Sequence, residues 1–187
     1  MNRTKNHTVS FHSQIYLIGY RASGKTSVGI ALAKNLNLKF MDTDAEIVKQ
    51  NGEIADIVKN YGWDVFRKKE KEIIQSINPT DNLVIALGGG AIIEPDNIKT
   101  VKNNGTVIFL KASPDVIKKR LLNDDNTKIN RPSLSTAGTF EEVDKILAIR
   151  EPVYKEASDF IIDTDNKTIP QICRNITECL YLPQKKS

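Results

Sequence analysis

The chain has 187 residues, of which 40% are hydrophobic and 27% charged, the ordinary composition of a single soluble globular domain. No apolar run approaches the roughly 18 residues that a membrane span needs, so we expect no membrane partner. The formal net charge is +4, but six basic residues and no acidic residue fall within residues 1–41, and the remainder carries 21 basic and 23 acidic residues. A nucleic-acid binder more often has a clustered basic stripe with aromatic residues between the charges, so we expect no nucleic-acid partner.

In chain order, apolar runs and helix-compatible spacing predict alternating strands and helices. The predicted elements are a strand at 15–18, a helix at 27–35, a strand at 38–41, helices over 44–61 and 64–77, a strand at 83–87, a helix from Pro95, a strand at 106–110, helices at 114–122 and 139–156, a strand at 160–162 and a helix at 168–181. Breaks are expected at Gly52 and Gly62. Such alternation is typical of an α/β protein with a parallel sheet covered by helices on both faces.

The chain start and the cysteines bear on compartment. Residues 1–14 are polar and lack the apolar segment of a secretory signal, so we expect a disordered extension before one domain over 15–182. Cys173 and Cys179 are six residues apart in a predicted helix, which puts the two thiols on different faces. Free thiols fit a reducing compartment. The sequence therefore predicts a cytoplasmic protein, and we expect it to be a monomer.

The clearest motif is a phosphate-binding loop between the first strand and the first helix. Residues 19–26 fit the pattern G-x-x-x-x-G-K-[ST]. In this motif backbone N–H groups surround the phosphates, the lysine reaches the β- and γ-phosphate oxygens, and the hydroxyl of the last residue ligates Mg²⁺. The helix that follows aims its positive end at the same anion. The predicted nucleotide-binding residues are Gly19, Arg21, Ala22, Ser23, Gly24, Lys25, Thr26 and Ser27.

The rest of the sequence narrows the class of nucleotide enzyme. A GTPase needs an Asn-Lys-x-Asp motif, and the nearest match, at residues 166–169, lacks the final aspartate. An ATPase motor would be larger. A small-molecule kinase needs a second pocket beside the loop, and the chain offers candidates for one.

These acceptor-site candidates have ordinary structural alternatives. Asp42 and Asp44 follow the second strand, where carboxylates can reach a metal ion or a substrate hydroxyl, but Asp44 could instead cap a helix. Arg67 could be a solvated charge on its helix, and residues 88–90 could be a flexible glycine turn. Arg131 and Arg150 could each bind a ligand or face solvent.

Taken together, six strings of this sequence resemble the shikimate kinase family. They are GYRASGKTSVG, FMDTD, FRKKE, ALGGG, NRPS and REPVYKEAS, and the resemblance as a whole runs over about residues 15–165. The resemblance implies transfer of the ATP γ-phosphoryl group to the 3-hydroxyl of shikimate. It also implies a three-layer α/β/α sandwich around a five-stranded parallel sheet, with a substrate-binding region at about 42–77 and a mobile lid at about 124–137.

The resemblance also suggests a role for each matching residue. Asp44 would hold the shikimate hydroxyls and accept the proton, and Asp42 would fix Mg²⁺ together with Thr26. The remaining implied roles are a carboxylate clamp by Arg67 and Arg150, backbone contacts to the substrate from Gly88, Gly89 and Gly90, a phosphate contact from Arg131 on the lid, and adenine stacking by Arg120. With Lys25, the implied catalytic residues are Asp44 and Arg131.

Two positions depart from the family pattern. Ser133 stands where the lid usually has leucine, and Trp63 stands where an acidic residue usually precedes the Phe-Arg pair. Neither change removes an implied catalytic group.

Overall fold

The computed structural model describes residues 14–123 and 141–181. It contains one sheet of five parallel strands in the order β2-β3-β1-β4-β5. The strands are β1 (Gln14–Ile18), β2 (Lys39–Asp42), β3 (Leu83–Ala86), β4 (Gly105–Lys111) and β5 (Phe160–Asp163). The expected five-stranded parallel sheet is confirmed. The N-terminal extension, the lid, Arg131 and Ser133 lie outside the described residues, apart from Gln14, which begins β1.

Seven α-helices connect and cover the strands in the described part of the chain. They are α1 (Lys25–Leu36), α2 (Thr43–Asn51), α3 (Ile54–Ser76), α4 (Pro95–Asn104), α5 (Pro114–Leu122), α6 (Glu141–Ala157) and α7 (Ile169–Tyr181). A short 3-10 turn, Ala91–Ile93, precedes α4. The expected breaks are confirmed: α2 ends at Gly52, and α3 is interrupted at Gly62, where φ is 84°.

The first helix begins two residues earlier than its apolar spacing predicts. α1 starts at Lys25 because Gly24, in the left-handed region with φ of 100°, turns the chain directly into the helix. The helix therefore includes Lys25 and Thr26 of the phosphate loop in its first turn. This brings their side chains to the end of the helix where the backbone N–H groups are exposed.

The sheet separates two apolar layers, as the period of two along a strand requires. In β1, Tyr16 and Ile18 pack toward α3, α4, α5 and α6, whereas Ile15 and Leu17 pack toward α1 and α7. Helices thus cover both faces, which makes the expected three-layer sandwich. None of the helices within 14–123 and 141–181 has the length and apolar character to cross a bilayer.

A third apolar cluster lies outside the two main layers and stabilises α2 against α3. Its buried members are Ile47, Ile54, Ile57, Phe66 and Ile73. This helical unit stands at the β2 edge of the sheet, and its packing fixes the orientation of α3. The substrate-binding candidates Asp44 and Arg67 are carried on it.

Candidate active site

The phosphate loop connects β1 to α1 at the carboxyl-terminal edge of the sheet, where ligands bind in open α/β folds. The Ser23 amide donates to the Tyr20 carbonyl at 3.2 Å and closes the turn. The Lys25 ammonium donates to the carbonyl oxygens of Gly19 and Tyr20, at 2.9 Å each. The loop backbone is therefore closed into a turn, and the Lys25 side chain lies across it, which is the arrangement expected of a phosphate-binding loop.

Asp42 links this loop to α2. Its Oδ2 accepts from the Thr26 hydroxyl at 2.7 Å, and its Oδ1 accepts from the amides of Asp44 at 3.0 Å and Ala45 at 3.3 Å. Asp42 is thus the N-cap of α2. The alternative in which Asp44 caps the helix is wrong: Asp44 lies in the first turn, and its carboxylate turns to the glycine run after β3.

The glycine run makes room for that carboxylate. A Cβ built on Gly88 would lie 2.6 Å from Asp44 Oδ1 and would also collide with Glu70. The Gly88 amide donates to the buried Thr43 hydroxyl at 3.0 Å, which ties the run to the start of α2. Glycine at this position allows two carboxylates to approach one backbone segment. The glycine run is therefore required by the packing of the site and is more than a flexible turn.

Arg67 is held on several sides. Its guanidinium carbon is 5.5 Å from the Trp63 ring centroid and 5.1 Å from that of Phe66, both within cation–π range. Its Nη1 donates to Glu70 Oε2 at 2.5 Å. A Cβ on Gly90 would lie 2.6 Å from the guanidinium carbon, so Arg67 also contacts the glycine run. Arg67 is therefore a fixed cation rather than a solvated one.

Glu70 is the most buried charged group of the site. Its side chain is 0% exposed, and among the described residues Oε1 has no hydrogen-bond partner. Burial raises the pKa of Glu70 from 4.5 to about 7; the Arg67 guanidinium opposes this shift, and the Asp44 carboxylate adds to it.

Arg150 reaches the site from α6. Its Nη1 donates to the Gly89 carbonyl at 3.3 Å, and the Tyr154 hydroxyl donates to the same oxygen at 2.5 Å. The adjacent Glu151 pairs with Lys111 at 3.3 Å and with Lys155 at 2.8 Å.

A single pocket brings these groups together beside the phosphate loop. The space inside it, counted with its open mouth, is about 480 Å³. Two arginines and two acidic residues are among the residues that line it. Its lining residues are Tyr20, Arg21, Asp44, Ile54, Trp63, Phe66, Arg67, Glu70, Gly89, Gly90 and Arg150.

A second depression adjoins the outer side of the phosphate loop. Arg120 lies at its wall and donates to the carbonyls of Ala22 at 3.2 Å and Thr164 at 3.0 Å. The depression is lined by Ala22, Ser23, Gly24, Ser27, Val28, Arg120, Lys167, Thr168, Ile169 and Ile172. The depression therefore adjoins the predicted phosphate-binding residues Ala22, Ser23 and Gly24.

The structure thus brings the predicted nucleotide residues and the predicted acceptor residues to one edge of the sheet, with one qualification. The Arg21 backbone belongs to the loop, but its buried side chain lines the acceptor pocket. Sequence reasoning missed Glu70, Tyr154 and Lys167. The first two stand at helical spacing from Arg67 and Arg150, which is a signal that could have identified them.

Comparisons with known proteins agree with this geometry. The shikimate kinase family model matches residues 21–181. A shikimate kinase of Syntrophus aciditrophicus is 40% identical over 171 residues, covering 87% of this chain and 88% of that protein. One from Caldicellulosiruptor saccharolyticus is 40% identical over 152 residues, covering 81% and 86%. Among solved structures, shikimate kinase from Acinetobacter baumannii in complex with shikimate aligns with a TM-score of 0.83 at 30% identity, covering 89% of this chain and 92% of that one.

Proposed function

This chain belongs to the shikimate kinase family, and from that premise we propose that it transfers the γ-phosphoryl group of ATP to the 3-hydroxyl of shikimate. One observation carries the proposal: the pocket beside the phosphate loop is lined by two arginines, Arg67 and Arg150, and by the carboxylate of Asp44. A small acceptor with a carboxylate at one end and hydroxyls at the other matches that distribution of charge.

The two arginines would bind the carboxylate of the acceptor. A guanidinium meets a carboxylate through two parallel N–H groups, which fixes orientation as well as charge. Arg67 is already held between two rings and Glu70, so little side-chain entropy is lost when the acceptor binds. Gly88, Gly89 and Gly90 would contact the acceptor through their backbone.

Asp44 would accept the proton of the attacking hydroxyl. In the transfer the acceptor's 3-oxygen bonds to the γ-phosphorus, the bond from that phosphorus to the β,γ-bridging oxygen breaks, and ADP leaves. The hydroxyl proton passes to the Asp44 carboxylate. Such transfers depend mainly on positioning and on positive charge around the transferring group. Lys25 would supply part of that charge after leaving the carbonyls of Gly19 and Tyr20 for the phosphates.

The nucleotide would bind across the loop. Backbone groups from Gly19 to Ser27 would hold the phosphates, and the depression beside Arg120 would receive the base. The Arg120 guanidinium bonds along its edge to Ala22 and Thr164. Bonds along the edge leave a planar face for stacking on adenine.

Thr26 and Asp42 fit a magnesium site. Their two oxygens lie 2.7 Å apart at the solvent-facing side of the loop, and Mg²⁺ prefers oxygen ligands from one or two protein groups while keeping several waters. In the described residues there is no cluster of three or more His, Cys, Asp or Glu side chains for a metal. The bound cation would neutralise charge on the phosphates.

The remaining parts of the proposal follow from the resemblance. Arg131, which lies outside the described residues, would neutralise the transferring phosphoryl group from a lid at about 124–137. Residues 15–182 would form one kinase domain, with 42–77 as the acceptor-binding region. We place the enzyme in the cytoplasm as a monomer. The free thiols of Cys173 and Cys179 suit a reducing compartment.

The test is release of ADP from ATP with and without shikimate. We expect strong stimulation by shikimate, loss of turnover in Asp44→Asn, and retained ATP binding in that variant. Trp63 is the only tryptophan of the chain and lines the acceptor pocket, so its fluorescence should follow shikimate binding without ATP. An enzyme whose ADP release ignores shikimate but responds to another hydroxyl acceptor would contradict the proposal.

A further inference from the structure

Tyr154 is a fully buried tyrosine on α6 to which the phosphoryl transfer proposed above gives no role. It lies one helical turn after Arg150, on the same face of the helix. Its ring packs on Phe109 of β4, with centroids 5.1 Å apart. Its hydroxyl, at the far end of the ring, donates to the Gly89 carbonyl at 2.5 Å. The phenol thus joins the central layer of the protein to the backbone of the acceptor pocket.

The hydrogen bonds of the glycine run show what that contact fixes. The Gly88 carbonyl accepts from the Ala91 amide at 3.0 Å, the Gly90 carbonyl accepts from the Ile93 amide at 3.1 Å, and the Gly88 amide donates to Thr43. With the Gly89 carbonyl held by α6, all three carbonyls of the run have partners. Gly89 and Gly90 both line the pocket.

The direction of one of those amides depends on the Gly89 carbonyl. The peptide between Gly89 and Gly90 is trans, and in a planar trans peptide the C=O and the N–H point in opposite directions. Glycine has no Cβ to restrict that peptide plane. A donor that pulls the Gly89 carbonyl toward α6 therefore turns the Gly90 N–H away from α6.

The same carbonyl is shared with Arg150, and the two donors are unequal. The Tyr154 hydroxyl lies 2.5 Å from the oxygen and Arg150 Nη1 lies 3.3 Å from it, so the phenol makes the shorter bond. Burial raises the pKa of Tyr154 to about 12, so the hydroxyl keeps its proton and remains a donor over the working pH range. Because Tyr154 already binds the Gly89 carbonyl, Arg150 does not have to point all its donors at that oxygen. Its guanidinium can therefore also bind a ligand.

We propose that Tyr154 is a positioning residue for the anionic group of the acceptor: it orients the Gly90 amide into the acceptor pocket and keeps the Arg150 guanidinium available to the acceptor's carboxylate. The inference rests on the proposed function, since it concerns how the same acceptor is held. It assigns Tyr154 an effect on acceptor affinity rather than on the chemical step.

The test compares Tyr154→Phe with Tyr16→Phe. Both tyrosines are fully buried in the same core layer, and the Tyr16 hydroxyl bonds to Gln14 at the start of β1, away from the pocket. Tyr154→Phe keeps the ring packing on Phe109. We expect KM for shikimate to rise about tenfold, the value of one lost hydrogen bond, with KM for ATP and kcat changed less than about threefold. Tyr16→Phe should leave both KM values unchanged.

A second readout separates positioning from general loosening of the core. The wild-type enzyme should prefer shikimate to its uncharged methyl ester. That preference should shrink in Tyr154→Phe, because the Gly90 amide and the Arg150 guanidinium, which bind the carboxylate, are no longer held in position. An unchanged preference, or equal rises of KM in both tyrosine variants, would overturn the inference.

The wild-type protein gives an independent check. Labelled with ¹⁵N, its Gly90 amide should shift on addition of shikimate, and an amide that does not move would overturn the inference whatever the variants do. If wild-type protein and Tyr16→Phe both fail to phosphorylate shikimate, the proposed function fails and the inference falls with it. If both are active and Tyr154→Phe matches them, only the inference fails.

Discussion

Thr26 and Asp42 are sixteen residues apart, yet their side chains meet at 2.7 Å and join the phosphate loop to the N-cap of α2. One oxygen of Asp42 faces the proposed cation, and the other holds the helix. The two tasks of this carboxylate are therefore separable by substitution.

We expect Asp42→Asn to keep the helix and impair the use of magnesium. Asparagine is as good an N-cap as aspartate, so the free energy of unfolding should change by less than about 0.5 kcal/mol, whereas Asp42→Ala should lose about 1 kcal/mol. Both variants lose the negative charge, and the Mg²⁺ concentration for half-maximal rate should rise about tenfold or more in each. Magnesium titrations and urea unfolding measure the two effects. A normal magnesium requirement in Asp42→Asn would remove Asp42 from the cation site.

Glu70 should make stability depend on pH. Because burial raises its pKa from 4.5 to about 7, the folded protein keeps a proton that the unfolded chain has released in that window. Its contribution to the free energy of unfolding therefore falls as pH rises from 4.5 to 7, by an amount on the order of 3 kcal/mol at most. Urea unfolding of wild-type protein and Glu70→Gln across this range measures the difference. A difference that grows with pH would mean that the Arg67 ion pair outweighs burial.

Trp63 should support acceptor binding through Arg67. Its ring flanks the guanidinium, a contact worth roughly 0.5–2 kcal/mol. We expect Trp63→Ala to raise KM for shikimate roughly 3- to 10-fold while KM for ATP stays constant, and Trp63→Phe, which keeps an aromatic face, to lose much less. Steady-state kinetics with each substrate varied in turn would measure this. Equal losses in the two variants would exclude the aromatic face as the source of the effect.

Arg131→Ala should cost about 3–5 orders of magnitude in turnover if Arg131 neutralises the transferring phosphoryl group as arginine fingers do. Arg174→Ala, which removes an exposed arginine on α7, serves as the control and should retain full activity. Single-turnover measurements would separate the chemical step from product release. A loss below tenfold in Arg131→Ala would exclude this role.

The phosphate loop and the sheet could be predicted because their signals are local. A fixed spacing of glycines, lysine and threonine identifies the loop, and short apolar runs identify buried strands. Gly52 and Gly62 likewise marked the ends of helical segments. These features depend on residues that are close together in the chain, so one sequence suffices to find them.

The supporting residues of the pocket could not be predicted in the same way. The Arg67–Glu70 pair has ordinary i,i+3 spacing, and only the packing of α3 against α2 and β3 makes it a buried pair. The sequence offers two nearby aspartates and does not show which of them caps α2. Asp42 takes the cap position because β2 ends there. Tyr154 meets Gly89 over 65 residues, a contact that only the tertiary fold creates.

The strand order has one more consequence. β3 lies between β1 and β2, so the strand that carries the phosphate loop and the strand that ends in Asp42 are two spacings apart, about 10 Å. The backbone hydrogen bonds between neighbouring strands therefore set the distance between the phosphate loop and Asp42, and with it the proposed distance between phosphoryl donor and acceptor. Substitutions of pocket-lining side chains can therefore change which acceptor binds, while the distance from donor to acceptor stays the same.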